Sequence, residues 1–356
     1  MKMKAAMHYG VNDIRIEEIP KPECPKEGLL VKMVYVTTCG TDVKKYKRGG
    51  YVMDKNPNAA KVFGHEGSGI VCEVDGNETG FQVGDRIVFH DAHACGLCDN
   101  CKRGMSNICT NMKTVGGTWC EYVAIPKVIL ERGAVFHVPD NMPLELAPCV
   151  EPMASAMHCA ENAHVRLGDY VVVNGAGPLG LGIIKYVSSM GGRVIACDKS
   201  TYRLERAKKM GAEWVIEVTD KMTAEDQIAA VRALTPDGRG CDVCIEAVGL
   251  PATWELTIPM ARKGGLVLEF AGCKGGTTIT IDTALLHYSE LTIKGLYHAT
   301  QRQIQMSFES LCRGMLPRDI MITGNYTLDN CAQALEDHYH QIGVKNLIQI
   351  SEETLS

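Results

Sequence analysis

The sequence has no apolar run of the ~18 or more residues that a membrane span needs. It has no basic excess either. Lys and Arg number 37 against 42 Asp and Glu, a formal net charge of −5, so there is no electrostatic footprint for nucleic acid. It lacks the cysteine density of a small disulfide scaffold, ~8–10% or more, because its 16 cysteines are spread over 356 residues. The start, Met1-Lys2-Met3-Lys4-Ala5, runs directly into strand-like sequence, which predicts no signal peptide. No internal repeat, low-complexity segment or disordered linker is present. These absences predict a cytoplasmic protein in a reducing compartment, whose thiols stay free or bind metal. They predict neither a membrane nor a nucleic-acid partner. What remains is a globular composition, 46% hydrophobic and 22% charged, with length enough for two domains.

The first 150 residues read as short strands broken by turns. Segments 31–37, 69–74, 86–89 and 120–125 are β-branched or alternating. Breaks such as Gly49-Gly50 and Asp75-Gly76 separate them. Near Pro152 the pattern changes to strands alternating with helices. Strands are expected at 170–174, 194–198, 215–218, 243–246 and 266–270, and helices at 178–190 and 201–210. That alternation argues for βαβ units and a parallel sheet. In the last 60 residues, helices are expected at 303–313 and 331–340 and a strand at 346–350.

Gly175-Ala-Gly177-Pro178-Leu179-Gly180 has the G-x-G-x-x-G spacing, follows an apolar strand and opens a helix. Glycines permit the tight turn and close backbone approach, and a helix N-terminus favours a pyrophosphate. Asp198 ends the next strand, 21 residues beyond Gly177. A carboxylate there can accept from both ribose hydroxyls and would repel a 2′-phosphate. The expected cofactor is NAD rather than NADP, although Lys199 and Arg203 follow the acid, and Arg203 is itself an expected cofactor contact. Val248 and Ala271, after two later strands, are expected to border the nicotinamide.

Cys95, Cys98, Cys101 and Cys109 form C-x2-C-x2-C-x7-C. Four thiolates so close can converge tetrahedrally on one ion. A [4Fe–4S] cluster shares the opening spacing, but the ferredoxin run has its fourth cysteine after three residues, followed by proline. Here the gap is seven and Thr110 follows, which favours a closed structural zinc site. With four protein ligands, such a site leaves no open position for catalysis.

Three further segments hold the ligand types of an open zinc site: Cys39 in Thr37-Thr-Cys39-Gly-Thr41-Asp42, His65-Glu66 in Gly64-His65-Glu66-Gly67, and Glu151-Pro152. Spacing alone cannot bring residues 39, 65 and 151 together. With the four cysteines and the dinucleotide motif, their order along the chain resembles the zinc-dependent medium-chain alcohol/polyol dehydrogenases. The resemblance extends over essentially the whole chain and is nearest the sorbitol and butanediol dehydrogenase branch.

The resemblance implies an α/β protein with a GroES-like, mostly-β catalytic domain (1–152 and 295–356) and a Rossmann doubly wound parallel-sheet domain (153–294). It implies that Cys39 and His65 ligate a catalytic zinc, with Glu66, or a water it holds, and Glu151 completing or exchanging in the sphere. Zinc would act as a Lewis acid on the substrate oxygen, and hydride would pass to the nicotinamide. Thr41 matches the hydroxyl that takes the substrate proton. Asp42 matches an acid that holds the His65 ring. A homo-dimer or homo-tetramer acting on a small alcohol is implied as well.

Two departures are visible. Many relatives carry histidine where this chain has Lys44, so the proton relay is expected to end in water, in cofactor ribose or at Lys44. Sorbitol dehydrogenases carry an Arg-Tyr pair, whereas this chain reads Gly295-Leu-Tyr297-His298-Ala299. Trp119, Tyr297 and His298 are candidate substrate contacts, and the aromatic pair Trp119 and Tyr297 favours a cyclic sugar alcohol. The competing readings are a threonine-like amino-alcohol dehydrogenase and a non-catalytic NAD-binding protein with only the structural zinc.

Overall fold

The computed structural model describes residues 1–49, 61–76 and 80–355. Gly50 of the Gly49-Gly50 break lies outside them. The chain forms two compact units, Met1–Ala154 with Thr300–Ser356, and Ser155–Ala299.

The first unit is built on a seven-stranded sheet. Its central strand, Leu29–Thr37, is buried at all but Lys32, because β-branched and aliphatic residues occupy both faces. This strand pairs antiparallel with Glu66–Val74 on one side and with Lys345–Gln349 on the other. Tyr122–Ile125 also pairs with it, at its N-terminal end. Glu66–Val74 in turn pairs with Arg86–His90, and that strand with Val135–His137. These registers decide the chemistry. Val36 lies opposite Gly67, so Glu66 falls beside the end of the central strand, just before Cys39. Leu347 lies opposite Thr37, so the C-terminal strand delivers Lys345 to the same place. Phe63, Trp119, Met33, Val71, Ile87 and Ile125 are among the residues that fill the core.

The second unit is a six-stranded, all-parallel sheet. In spatial order its strands are Ala212–Glu217, Arg193–Asp198, Tyr170–Asn174, Cys241–Glu246, Ala261–Glu269 and Thr292–Gly295. This is the doubly wound order, with the switch of direction beside Tyr170–Asn174. Tyr170–Asn174 is buried throughout, as expected of a central parallel strand. The turn after it is allowed by glycine. Gly175 has φ +105°, and a Cβ on Gly180 would stand 1.8 Å from the Gly175 carbonyl oxygen. Pro178 then occupies the first turn of helix Pro178–Ser189, where its missing N–H costs nothing. Most expected elements agree with the structure to within a few residues at their ends. The principal elements not expected are helices Gly40–Arg48 and Val150–Asn162. The first is short and mostly polar, and the second, 13 residues long, is rich in small residues, so neither shows a clear apolar period.

Candidate active site

Cys39 caps helix Gly40–Arg48. Its sulfur accepts from the Thr41 N–H at 3.5 Å, and its own N–H donates to Asp42 Oδ2 at 3.1 Å. His65 ends the loop that leads into Glu66–Val74. One ligand atom each from Cys39, His65 and Glu66 lies within 4.8 Å of the other two. Asp42 is buried, and its Oδ1 accepts from His65 Nδ1 at 3.0 Å. That bond leaves Nε2 as the ring's lone-pair nitrogen. Burial works against a charged His65, but the Asp42 carboxylate and the Cys39 sulfur together outweigh it and raise the ring's pKa well above the ordinary value.

Glu66 is fully buried. Its Oε2 accepts from the Thr37 hydroxyl and lies 2.6 Å from the Lys345 ammonium, which also donates to the Thr38 carbonyl at 2.9 Å. Its Oε1 has no hydrogen-bond partner among the described residues. A buried carboxylate oxygen left unpaired is costly, and one oxygen of this carboxylate lies within 4.8 Å of the Cys39 sulfur and a His65 ring nitrogen. Sulfur, nitrogen and carboxylate oxygen together are a zinc donor set, and three such ligands are the number an open, catalytic site uses.

Glu151, in the first turn of helix Val150–Asn162, lies outside that triad. Its carboxyl is within 4.8 Å of a ring nitrogen of His90. Burial pushes its pKa up to about 7, with His65 opposing and Glu66 and Asp91 reinforcing the rise. Thr41 is exposed on the first turn of its helix, and Lys44 lies one turn further along, partly buried.

The four cysteines converge as their spacing predicts. Sulfur–sulfur distances are 3.5 Å for Cys98–Cys101, 3.8 Å for Cys98–Cys109 and 3.5 Å for Cys95–Cys109. A tetrahedron with Zn–S of about 2.3 Å would have edges of about 3.8 Å. Backbone amides point at the sulfurs: Leu97 and Cys98 donate to Cys95, and Cys95 and Asn111 donate to Cys109. The amides of Cys101 and Thr110 pull the Cys98 thiol down to about 5. Cys101 goes the other way, pushed up to about 12 by desolvation and by the Cys98 sulfur. Four thiolates this close require a cation between them, so the residues fit a closed zinc site.

In the parallel-sheet unit, Asp198 Oδ2 accepts from the Ala176 N–H at 2.7 Å and Oδ1 from the Ser200 N–H at 2.8 Å. The acid thus ties the glycine loop to its strand while each oxygen keeps a further lone pair. Gly177 caps the following helix without a side chain, which leaves its first amides for an anion. Arg203 is buried, and its guanidinium lies near Gly177. Lys199 is paired with Asp220 at 2.9 Å. The Val248 amide donates to Glu246 Oε1, and the Ala271 carbonyl accepts from the Trp254 indole.

One expected substrate contact is corrected. Trp119 is fully buried in the core and packs edge-on against Phe63, with ring centroids 5.0 Å apart. An indole sealed from solvent at a sheet junction is a packing residue, and it withdraws half of the aromatic argument for a cyclic substrate. Tyr297, 63% exposed, and His298, at φ 58°, belong to the parallel-sheet unit, their rings 5.7 Å apart.

The sequence reading missed Lys345, Thr37, the partly exposed acid Asp91 and the buried acids Glu246 and Glu269. Lys345 opens the strand Lys345–Gln349, which also holds the polar Asn346 and Gln349, so no break in its pattern marked the lysine. Glu246 and Glu269 are register partners at the ends of adjacent strands. Glu269 is 2% exposed, and neither of its carboxyl oxygens has a hydrogen-bond partner among the described residues. Burial, and then Glu246, push its pKa up to about 8.

Comparison with known proteins follows the same division. Residues 25–140 match the alcohol dehydrogenase GroES-like domain, and residues 178–312 match the zinc-binding dehydrogenase domain. The chain is 30% identical to a sorbitol dehydrogenase of Bombyx mori, over 97% of this chain and 98% of that one. It is 32% identical to an L-threonine 3-dehydrogenase of Shewanella loihica, over 88% and 89%. Among solved structures, an Escherichia coli oxidoreductase/dehydrogenase of unknown specificity superposes with a TM-score of 0.88, at 27% identity over 99% of this chain and 100% of that one. Among the described residues, no helix is long and apolar enough to cross a membrane.

Proposed function

The chain belongs to the zinc-dependent medium-chain alcohol/polyol dehydrogenases, and from that premise we propose that it oxidises a small polyol or secondary alcohol with NAD. The observation that carries the reading is the Cys39, His65 and Glu66 triad with its unpaired Glu66 oxygen. Zinc bound there would polarise the substrate oxygen while NAD accepts the hydride.

The chain's own residues do the rest. Cys39, His65 and Glu66 hold the metal, and in this reading Glu151 exchanges with one of them. Asp42 fixes the His65 tautomer, so that Nε2 is the ligand. The Thr41 hydroxyl, which can donate and accept together, takes the substrate proton and passes it on toward water, cofactor ribose or Lys44. Cys95, Cys98, Cys101 and Cys109 hold the second zinc and shape their own lobe.

Asp198 supports NAD over NADP, since its carboxylate would repel a 2′-phosphate. Lys199 is directed to Asp220 and Arg203 is buried, so neither is an open phosphate site. Gly175, Gly177, Pro178, Leu179 and Gly180 are assigned to the pyrophosphate, Val248 and Ala271 to the nicotinamide, and Tyr297 and His298 to the substrate. The division into a GroES-like catalytic domain and a Rossmann domain, a cytoplasmic location and a homo-dimer or homo-tetramer belong to the same proposal.

A threonine-like amino-alcohol substrate is the second reading, favoured by the 32% identity to an L-threonine 3-dehydrogenase. NADH production against polyols, cyclitols, diols and L-threonine, with zinc counted per chain, separates the readings. Two zinc ions and turnover of a polyol are expected. One zinc ion and no turnover of any alcohol would leave only an NAD-binding protein.

A further inference from the structure

The sheet that assembles the triad carries one more carboxyl to it. Glu66 pairs with His90 across adjacent strands, and Asp91 follows directly. The backbone here is held from both sides. The His90 N–H donates to the Ala134 carbonyl at 2.8 Å, and the Asp91 carbonyl accepts from the Val115 N–H at 2.8 Å. The His90 ring closes onto the Ala92 carbonyl. Asp91 therefore stands on a braced turn.

Its carboxyl is treated differently from its neighbours. Asp42 is bonded to His65 and Cys39, and Glu66 to Thr37 and Lys345. The Asp91 carboxyl, partly exposed, hydrogen-bonds to no other residue among those described. It senses the charges of His65, Asp42 and Glu66, and Glu151 senses it in turn. An acceptor braced beside the reacting centre, unpaired by protein and still reachable, awaits a donor on the ligand.

We propose that Asp91 is a specificity-determining residue, whose carboxylate accepts a hydrogen bond from a hydroxyl on the carbon next to the one oxidised. The substrate class is then a vicinal diol or polyol, not a simple secondary alcohol. A site built to bond a hydroxyl rejects the analogue that lacks it far more strongly than an apolar pocket rejects a methylene. The inference rests on the dehydrogenase reading above.

The test compares butane-2,3-diol with butan-2-ol, which differ by one hydroxyl, using NAD and the zinc-replete protein. Wild type is expected to favour the diol. Asp91→Leu should lower kcat/KM for the diol by about 100-fold or more and change butan-2-ol by no more than about twofold. Asp91→Asn, which keeps an acceptor, should retain most diol turnover. Calorimetry on the NADH-loaded enzyme should show diol binding weakened in Asp91→Leu and largely kept in Asp91→Asn. Equal losses on both alcohols, or a wild type indifferent to the second hydroxyl, overturn the assignment. So does a larger loss on 1-aminopropan-2-ol than on the diol, which would make the partner an ammonium. Wild type that reduces no NAD with any alcohol overturns the dehydrogenase reading instead, and the calorimetric arm still decides whether Asp91 holds the diol.

Discussion

The Lys345 ammonium lies 2.6 Å from Glu66 Oε2, with side-chain exposures of 1% and 0%. Burial opposes the ammonium, yet Glu66 keeps it charged. The pair joins the C-terminal strand to the strand that carries the metal triad. Removing one partner of such a pair leaves the other charge buried alone, at about 3–5 kcal/mol. Lys345→Met is therefore expected to destabilise the protein by about that amount, and Lys345→Met with Glu66→Gln by less than Lys345→Met alone. Denaturant unfolding measures both, with the Cys39, His65 and Glu66 site first emptied by chelator so that metal binding does not enter the comparison. Equal midpoints for wild type and Lys345→Met would show that the pair contributes nothing.

Metal removal should proceed in two stages. The proposed Cys39, His65 and Glu66 site, with three protein ligands that include an oxygen, should yield to a chelator first, with loss of activity and little change in far-UV circular dichroism. The four-cysteine site should release its ion later, with loss of folded structure. Cys98→Ser should drop zinc from two to one per chain and lower the melting temperature. Simultaneous loss of both ions at all chelator concentrations would contradict this order.

Glu269 makes stability depend on pH. Its folded pKa, about 8, is raised above the ordinary carboxyl value of 4.5 by burial and by Glu246. Between those values the folded state binds the extra proton, so its contribution is full below about pH 4.5 and is lost as pH rises through about 8. Glu269→Gln, a permanently neutral side chain, should flatten this fall and leave the variant the more stable protein at pH 9. Unfolding midpoints measured from pH 5 to 9 test the sign. Parallel curves for the two proteins would rule the titration out.

Trp119 is predicted to act through packing. Trp119→Ala should cost about 3–5 kcal/mol, the range for large aromatic truncation in a core. Trp119→Phe should cost much less and leave the relative kcat/KM values of a polyol panel in place. A changed substrate ranking in Trp119→Phe would return the residue to the substrate site.

The dinucleotide motif and the four-cysteine site were readable because their chemistry is local. Gly175 to Gly180 is one turn between a strand and a helix, and Cys95 to Cys109 is one short excursion of chain. In such segments, residue spacing is nearly spatial spacing. The parallel sheet was equally legible, since alternating apolar strands and helices admit few topologies. Cys39, His65 and Glu151 were singled out by residue type and by resemblance, because no spacing rule links positions so far apart.

The sequence by itself determined two metal-binding chemistries, a nucleotide fold and the residue types each requires. Only the tertiary structure decided which side chains meet. The register of Leu29–Thr37 against Glu66–Val74 and Lys345–Gln349 sets Glu66 between Thr37 and Lys345 and leaves one oxygen unpaired. The pairing of Glu66 with His90 likewise fixes where Asp91 begins. Strand pairing is a long-range event with a period of two, so a single-residue slip would send each of these side chains to the opposite face. That information lies in the packing of the whole sheet and in no one segment of the chain.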